Sequence, residues 1–152
     1  MLRTELTNAM KDALRSKDER TLATARMILA KLKDMDIAAR PKGNTTGISD
    51  DEIRGMMQGM IKQRRESIAL YEKGNRPDLV KQESEEIAVI ERFLPKQMSQ
   101  DEMKSAVTAA IASTGAASIK DMGKVMGELK KTCAGKMDFA AAGAMVKGML
   151  GS

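Results

Sequence analysis

Four times along the chain a serine stands three residues ahead of an acidic side chain and just before helically spaced apolar residues: Ser16 and Glu19, Ser49 and Glu52, Ser99 and Glu102, Ser118 and Asp121. In such a capping box the serine hydroxyl accepts a backbone N–H three residues on. The acidic side chain accepts the serine's own N–H, so two donors left open at a helix start are satisfied. A chain punctuated this way reads as a succession of helices. Its apolar residues agree: they are chiefly Met, Ala, Leu and Ile, with one Tyr, two Phe and no Trp, a palette that favours helix and starves a sheet. The expected fold is all-α.

Leu2, Leu6, Met10 and Leu14 recur at helical spacing and mark a first helix. A second, opened by the Ser16 box, carries Leu22, Ala25, Leu29 and Leu32 on one face and fades near Ile37. Pro41, Gly43 and Gly47 then argue for a mobile loop. The Ser49 box launches a long third helix to about Lys73; Gly74 ends it, and Pro77 suits the first turn of a fourth that continues to Phe93-Leu94-Pro95. This gives an N-terminal helical domain of about four helices, residues 1–97, containing a long antiparallel hairpin. Beyond it, residues 98–152 should form a small three-helix tail-like bundle: one helix from the Ser99 box to Gly115, one from the Ser118 box to just before Gly135, and one capped by Asp138.

Composition narrows the chemistry. Histidine is absent, which removes the commonest general base and the usual zinc ligand. Cys133 is the single cysteine, so it forms no internal disulfide and reads as an inert thiol. No catalytic residues, metal ligands or cofactor site emerge. No segment has the apolar length of a membrane span, and Glu5 and Asp12 near the start are unlike a targeting peptide, so a cytoplasmic location is expected. The net charge of +5 permits nucleic-acid contact without demanding it. The 14 methionines suit either irregular core filling, the favoured reading, or an adaptable partner surface.

The hairpin poses a sharper question. Ile53, Met57, Met60, Ile61, Ile68 and Tyr71 share one stripe of the third helix, with Arg64 in its middle; Leu79, Val80, Ile87, Ile90 and Leu94 share one on the fourth, with Glu83 in its middle. Facing residues of an antiparallel pair have numbers of nearly constant sum, and that register sets Arg64 opposite Glu83. A salt bridge in the seam is expected, since either charge alone would be buried at a large desolvation cost. Glu85 and Glu86 are assigned to the solvent side. Arg65, about 100° further round, is either a solvated flank or an anion contact.

In the sixth helix Ile119, Met122, Val125, Met126, Leu129 and Cys133 share one side. Opposite stand Lys120, Lys124 and Lys131 with Gly127 among them, and Lys130 and Lys136 nearby. A lysine row holding a small residue lets a phosphate backbone approach and be neutralised without base-specific contacts. The competing reading is a solvated face whose Gly123 and Gly127 permit close helix packing.

Taken in order, KDALRSKDERTLATARMILAKLKDMDI, IKQRRESIALYEKGNRPDL, EIAVIERFLPKQMS and TGAASIKDMGKVMGELK resemble the YqeY-like family over nearly the whole chain, with QRRES, the FLP-KQ junction and DMGKVMG as landmarks. That family is similar to the helical and tail region of GatB, the B subunit of the tRNA-dependent amidotransferase. The resemblance implies a helical domain followed by a three-helix tail, a tail that contacts tRNA, and a label as a carbon-nitrogen ligase with glutamine as amido-N-donor. It does not reach GatB's catalytic body, and no transamidation residues carry over. The expected function is therefore that of a tRNA-binding accessory protein linked to translation. The alternative is a helical interaction module docking on a protein partner, the amidotransferase or an aminoacyl-tRNA synthetase; a weaker one is a ligase component active only within a complex.

Overall fold

The computed structural model describes residues 1–151; Ser152, the last residue of the expected tail, lies outside the described residues. The described chain is all-helical. Its seven α-helices are α1 (Leu2–Ser16), α2 (Glu19–Ala39), α3 (Asp50–Lys73), α4 (Pro77–Glu91), α5 (Gln100–Thr114), α6 (Met122–Thr132) and α7 (Phe139–Leu150), with short 3-10 turns at Arg40–Lys42 and Ile119–Asp121. They fall into two compact units, Met1–Leu94 and Pro95–Ser152.

In the first unit α1 packs on α2, α3 on α4, and α2 also on α4. Leu2, Leu6, Ile28, Leu32, Ile53, Met57 and Ile90 lie at the centre of its core. The Ser49 box forms as expected: Glu52 N–H donates to the serine hydroxyl at 3.2 Å and Ser49 N–H to the Glu52 carboxylate at 2.7 Å. The Ser16 box does not form. Helix α1 runs on to Ser16, Lys17 takes a left-handed φ of 60°, and Asp18 becomes the cap, accepting from Thr21 N–H at 3.1 Å and Thr21 hydroxyl at 2.7 Å. A carboxylate nearer the helix start thus displaced the serine. Leu14 also departs from expectation: it is 58% exposed, and Ala13 is buried instead. At about 100° per residue a strict four-residue spacing walks around the helix, so Leu14 stands about 120° from Leu2 whereas Ala13 stands about 20° from it.

The loop after α2, expected to be mobile, follows a defined path. Arg3 grips Asp36 through two bonds of 2.6 and 2.7 Å and donates to the Ile48 carbonyl at 2.9 Å, while Ile48 N–H donates to Asp36 at 2.9 Å. The Asn44 side chain accepts from Gly47 N–H and donates to Gly47 carbonyl. Gly47 has a φ of +104°, and a Cβ there would stand 2.6 Å from the Arg3 guanidinium. At the hairpin turn the left-handed residue is Asn75, φ 54°, while Gly74 has φ −83°. Helix α4 stops at Glu91, short of the Phe93-Leu94-Pro95 break.

The second unit packs α5, α6 and α7 on one another around Val107, Val125, Leu129, Met137, Ala142 and Val146. The Ser99 box forms, and Asp138 caps α7 by accepting Ala140 N–H at 2.9 Å. Ser118 and Asp121 close a 3-10 turn rather than opening an α-helix directly, so α6 begins at Met122. The segment just after Pro95 pins the α6–α7 turn, because the Gln97 amide donates to the Gly135 carbonyl at 2.6 Å and Met98 N–H to the Lys136 carbonyl at 2.8 Å. Of the methionines, Met56, Met57, Met60, Met103 and Met137 are buried and six more are half-buried. Only Met1, Met27 and Met149 are exposed.

Candidate nucleic-acid interface

Arg64 lies where its stripe placed it, with a side chain only 12% exposed. Its Nε stands 3.0 Å from Glu86 and 4.0 Å from Glu83, so the short bond goes to the carboxylate assigned to solvent. Glu86 is 6% exposed. Either residue satisfies the hairpin register, and the third helix decides between them: Arg20 of α2 reaches Glu86 at 3.8 Å and Glu85 at 3.0 Å. Arg64 also donates to the Met60 carbonyl at 3.1 Å. Three helices are therefore tied through Glu86, and Arg20 and Glu86 are the members that a two-helix argument missed. The signal was present, since α4 must cover α2 as well as α3. Glu83 is left with the weaker share, and burial, reinforced by neighbouring Glu86 against the opposing pull of Arg64, raises its pKa.

Arg65, considered as an anion contact, is 66% exposed and 3.6 Å from Glu91 of α4. Its geometry is that of a surface ion pair, a class worth about 0–1 kcal/mol. The Arg64–Arg65 pair thus faces inward and sideways within its own unit.

The tail lysines differ. Lys120, Lys124, Lys130, Lys131 and Lys136 are all exposed, and no salt bridge occurs in this unit among the described residues. They do not form one helical row. Lys124, Lys130 and Lys131 belong to α6, Lys120 to the 3-10 turn before it and Lys136 to the turn after it. The turn residue Asp121 bonds backbone N–H groups of Ala117 and Ser118, at 3.0 and 3.4 Å, and these hold its pKa low, with Lys124 adding a smaller effect.

Gly123 and Gly127 bear on packing alone, and a solvated face remains compatible with the exposed lysines. A Cβ at either position meets nothing within 4 Å, so neither glycine serves close packing inside this chain. At about 100° per residue, Gly123 and Gly127 lie between Lys130 on one side and Lys124 and Lys131 on the other. The result is a strip of bare helix backbone bordered by ammonium groups that form no salt bridge among the described residues, although Asp121 and Glu128 lie nearby, and such a strip suits a polyanion.

Among the described residues no group of His, Cys, Asp and Glu could hold a metal ion, and no helix is long and apolar enough to cross a membrane. The chain is similar to two yeast proteins named "Altered inheritance of mitochondria protein 41, mitochondrial", from Vanderwaltozyma polyspora and Lachancea thermotolerans. Each is 32% identical over 85 residues, 56% of this chain. The match spans 44% and 43% of those relatives, less than half of each. The model of the YqeY-like proteins matches residues 3–150, a span that takes in both units, the Glu86 network and the lysine-bordered strip, and the chain accordingly belongs to the YqeY-like family.

Proposed function

We propose that this protein binds tRNA through the lysines of its tail unit and acts as an accessory to tRNA amidation or aminoacylation, with the chemistry supplied by a partner. The observation that carries the reading is the solvent-facing set Lys120, Lys124, Lys130 and Lys131, none of them in a salt bridge, around a glycine strip with no packing role inside the chain. Lysine on a mobile stem is a point charge suited to phosphate, and the resemblance to the GatB tail makes tRNA the polyanion of choice. The protein-docking alternative drew on a methionine-rich surface; the exposed large apolar side chains are Met1, Leu14, Met27, Ile37, Leu70 and Met149, scattered over the N-terminus, α1, α2, α3 and α7 rather than gathered on one helix.

The test is titration of bulk tRNA at several salt concentrations. Affinity should fall steeply with salt, and changing Lys120, Lys124 and Lys131 together to Ala should flatten the log–log slope by about 2 to 3, at roughly 0.7 to 0.9 per lost phosphate contact. Salt-insensitive binding, or none, would overturn the reading.

A further inference from the structure

We propose that the α6 face takes base-paired RNA by its sugar-phosphate backbone rather than a single strand by its bases; this rests on the tRNA-binding reading above. Three observations carry it.

The first is the kind of side chain offered. Every cation of the unit Pro95–Ser152 is a lysine, and its one aromatic residue, Phe139, is half-buried against the tail core. Recognition of single strands relies on stacking unpaired bases against aromatic rings or guanidinium planes. Neither surface is on display in this unit. Ammonium groups alone must bind by charge, and a flexible strand held by charge alone has to be ordered without the stacking that offsets the entropy. A duplex brings its phosphates already ordered and more densely spaced.

The second is spacing. Lys124 and Lys131 lie seven residues apart on nearly one line of α6, about 10.5 Å along the axis at 1.5 Å per residue. Lys130 projects from the far side of the glycine strip. Charges on both borders of a straight, rigid track suit two phosphate lines more than the single wandering line of a loop.

The third is the floor. Gly127 lies in the interior of α6, where glycine disfavours helix relative to Ala, and nothing among the described residues occupies the space that side chains at Gly123 and Gly127 would fill. A helix face lowered by two side chains can lie against the wide, shallow minor groove of A-form RNA, where 2′-hydroxyls and backbone are exposed.

The experiment compares, with the full chain, an RNA duplex of about 16 base pairs and an oligo(U) strand carrying the same number of phosphates. The duplex is expected to bind at least tenfold more tightly at one salt concentration. Lys124→Ala with Lys131→Ala should reduce duplex affinity about tenfold or more. Gly127→Leu, which changes no charge and puts a good helix former into open space, should weaken duplex binding severalfold while helix content by circular dichroism is unchanged. Equal or tighter binding of oligo(U) overturns the duplex proposal and leaves the tRNA reading standing. Full duplex affinity in Gly127→Leu overturns the close approach on which the proposal depends. Absence of binding to either probe overturns the tRNA reading and this inference together.

Discussion

In Met1–Leu94 seven of the ten arginines are engaged at home: Arg3 on Asp36, Arg15 on Asp12, Arg20 and Arg64 on Glu86, Arg54 on Asp51, Arg65 on Glu91, Arg76 on Asp78. In Pro95–Ser152 the cations are all lysines and, among the described residues, none sits in a salt bridge. Every arginine of the chain is in the first unit. A planar guanidinium fixes two elements in a stated geometry, whereas an ammonium on a flexible stem keeps its charge available to something outside. Cationic charge can thus be architecture in one region and an exposed, unpaired set in another, and net charge alone does not separate them.

The strongest way to break this comparison is to remove Glu86. With both side chains mostly buried, Glu86→Ala leaves Arg64 without its short partner and should destabilise the first unit by about 3 kcal/mol or more in urea unfolding. Arg64→Met combined with Glu86→Leu should recover most of that loss, because two apolar side chains remove the uncompensated charge. A loss below about 1 kcal/mol for the single change would place the network among ordinary surface pairs.

Next in size is the Arg3 clamp. Gly47→Ala forces a Cβ into the guanidinium at a residue with φ +104°, and should cost about 1–3 kcal/mol, read from the same denaturation curve. Gly127→Ala, at open space in α6, should instead raise tail stability by about 0.5–1 kcal/mol. If both changes act alike, the two glycines do not differ in the way their surroundings require.

How much of this could be read beforehand follows the same division. Local chemistry was legible: the Ser49 and Ser99 boxes, the Asp138 cap and Pro77 at the start of α4 act within a few residues, and all appear. Choices between local competitors were not. Ser16 lost the cap to Asp18 because α1 runs on through it, and Leu14 lost its buried place to Ala13 because a four-residue spacing outruns a turn of about 3.6 residues. Arg64 was legible as an inward charge from the hairpin alone, but its better partner depends on α2, more than forty residues away in sequence. The loop beyond Lys42 looked unstructured because Arg3 and Asp36, which hold it, belong to two other elements. The exposure of Lys124 and Lys131 followed directly from the apolar side of α6, whereas the absence of tail salt bridges among the described residues required all three tail helices in place.

Setting a carboxylate within the glycine strip itself would sharpen the contrast. Gly127→Glu sets a carboxylate three residues from Lys124 and Lys130 and four from Lys131, distances at which helix side chains pair. It should leave tail stability unchanged or slightly higher and reduce tRNA affinity about tenfold, measured at low salt where surface charge is least screened. Undiminished affinity would mean that the anion is received elsewhere.

The smallest effects, in pH, separate two carboxylates within the first unit. The Asp36 carboxylate is held below its usual range by the hydrogen bonds from Arg3, with Ile48 N–H and the Arg3 charge contributing. Just below about pH 4 the unfolded chain therefore binds more protons than the folded one. Stability from this group is present above that value and is lost as pH falls through the lowered folded pKa. Glu83 runs the other way. Burial raises its folded pKa, so the folded chain holds the extra proton, and stability declines as pH rises from the ordinary glutamate range through the raised value. Asp36→Asn should thus flatten the acid side of the stability profile, while Glu83→Gln should remove the decline on its neutral side, both read by urea unfolding between pH 3 and 7. An unchanged profile in Glu83→Gln would mean that Arg64 fully offsets the burial of Glu83.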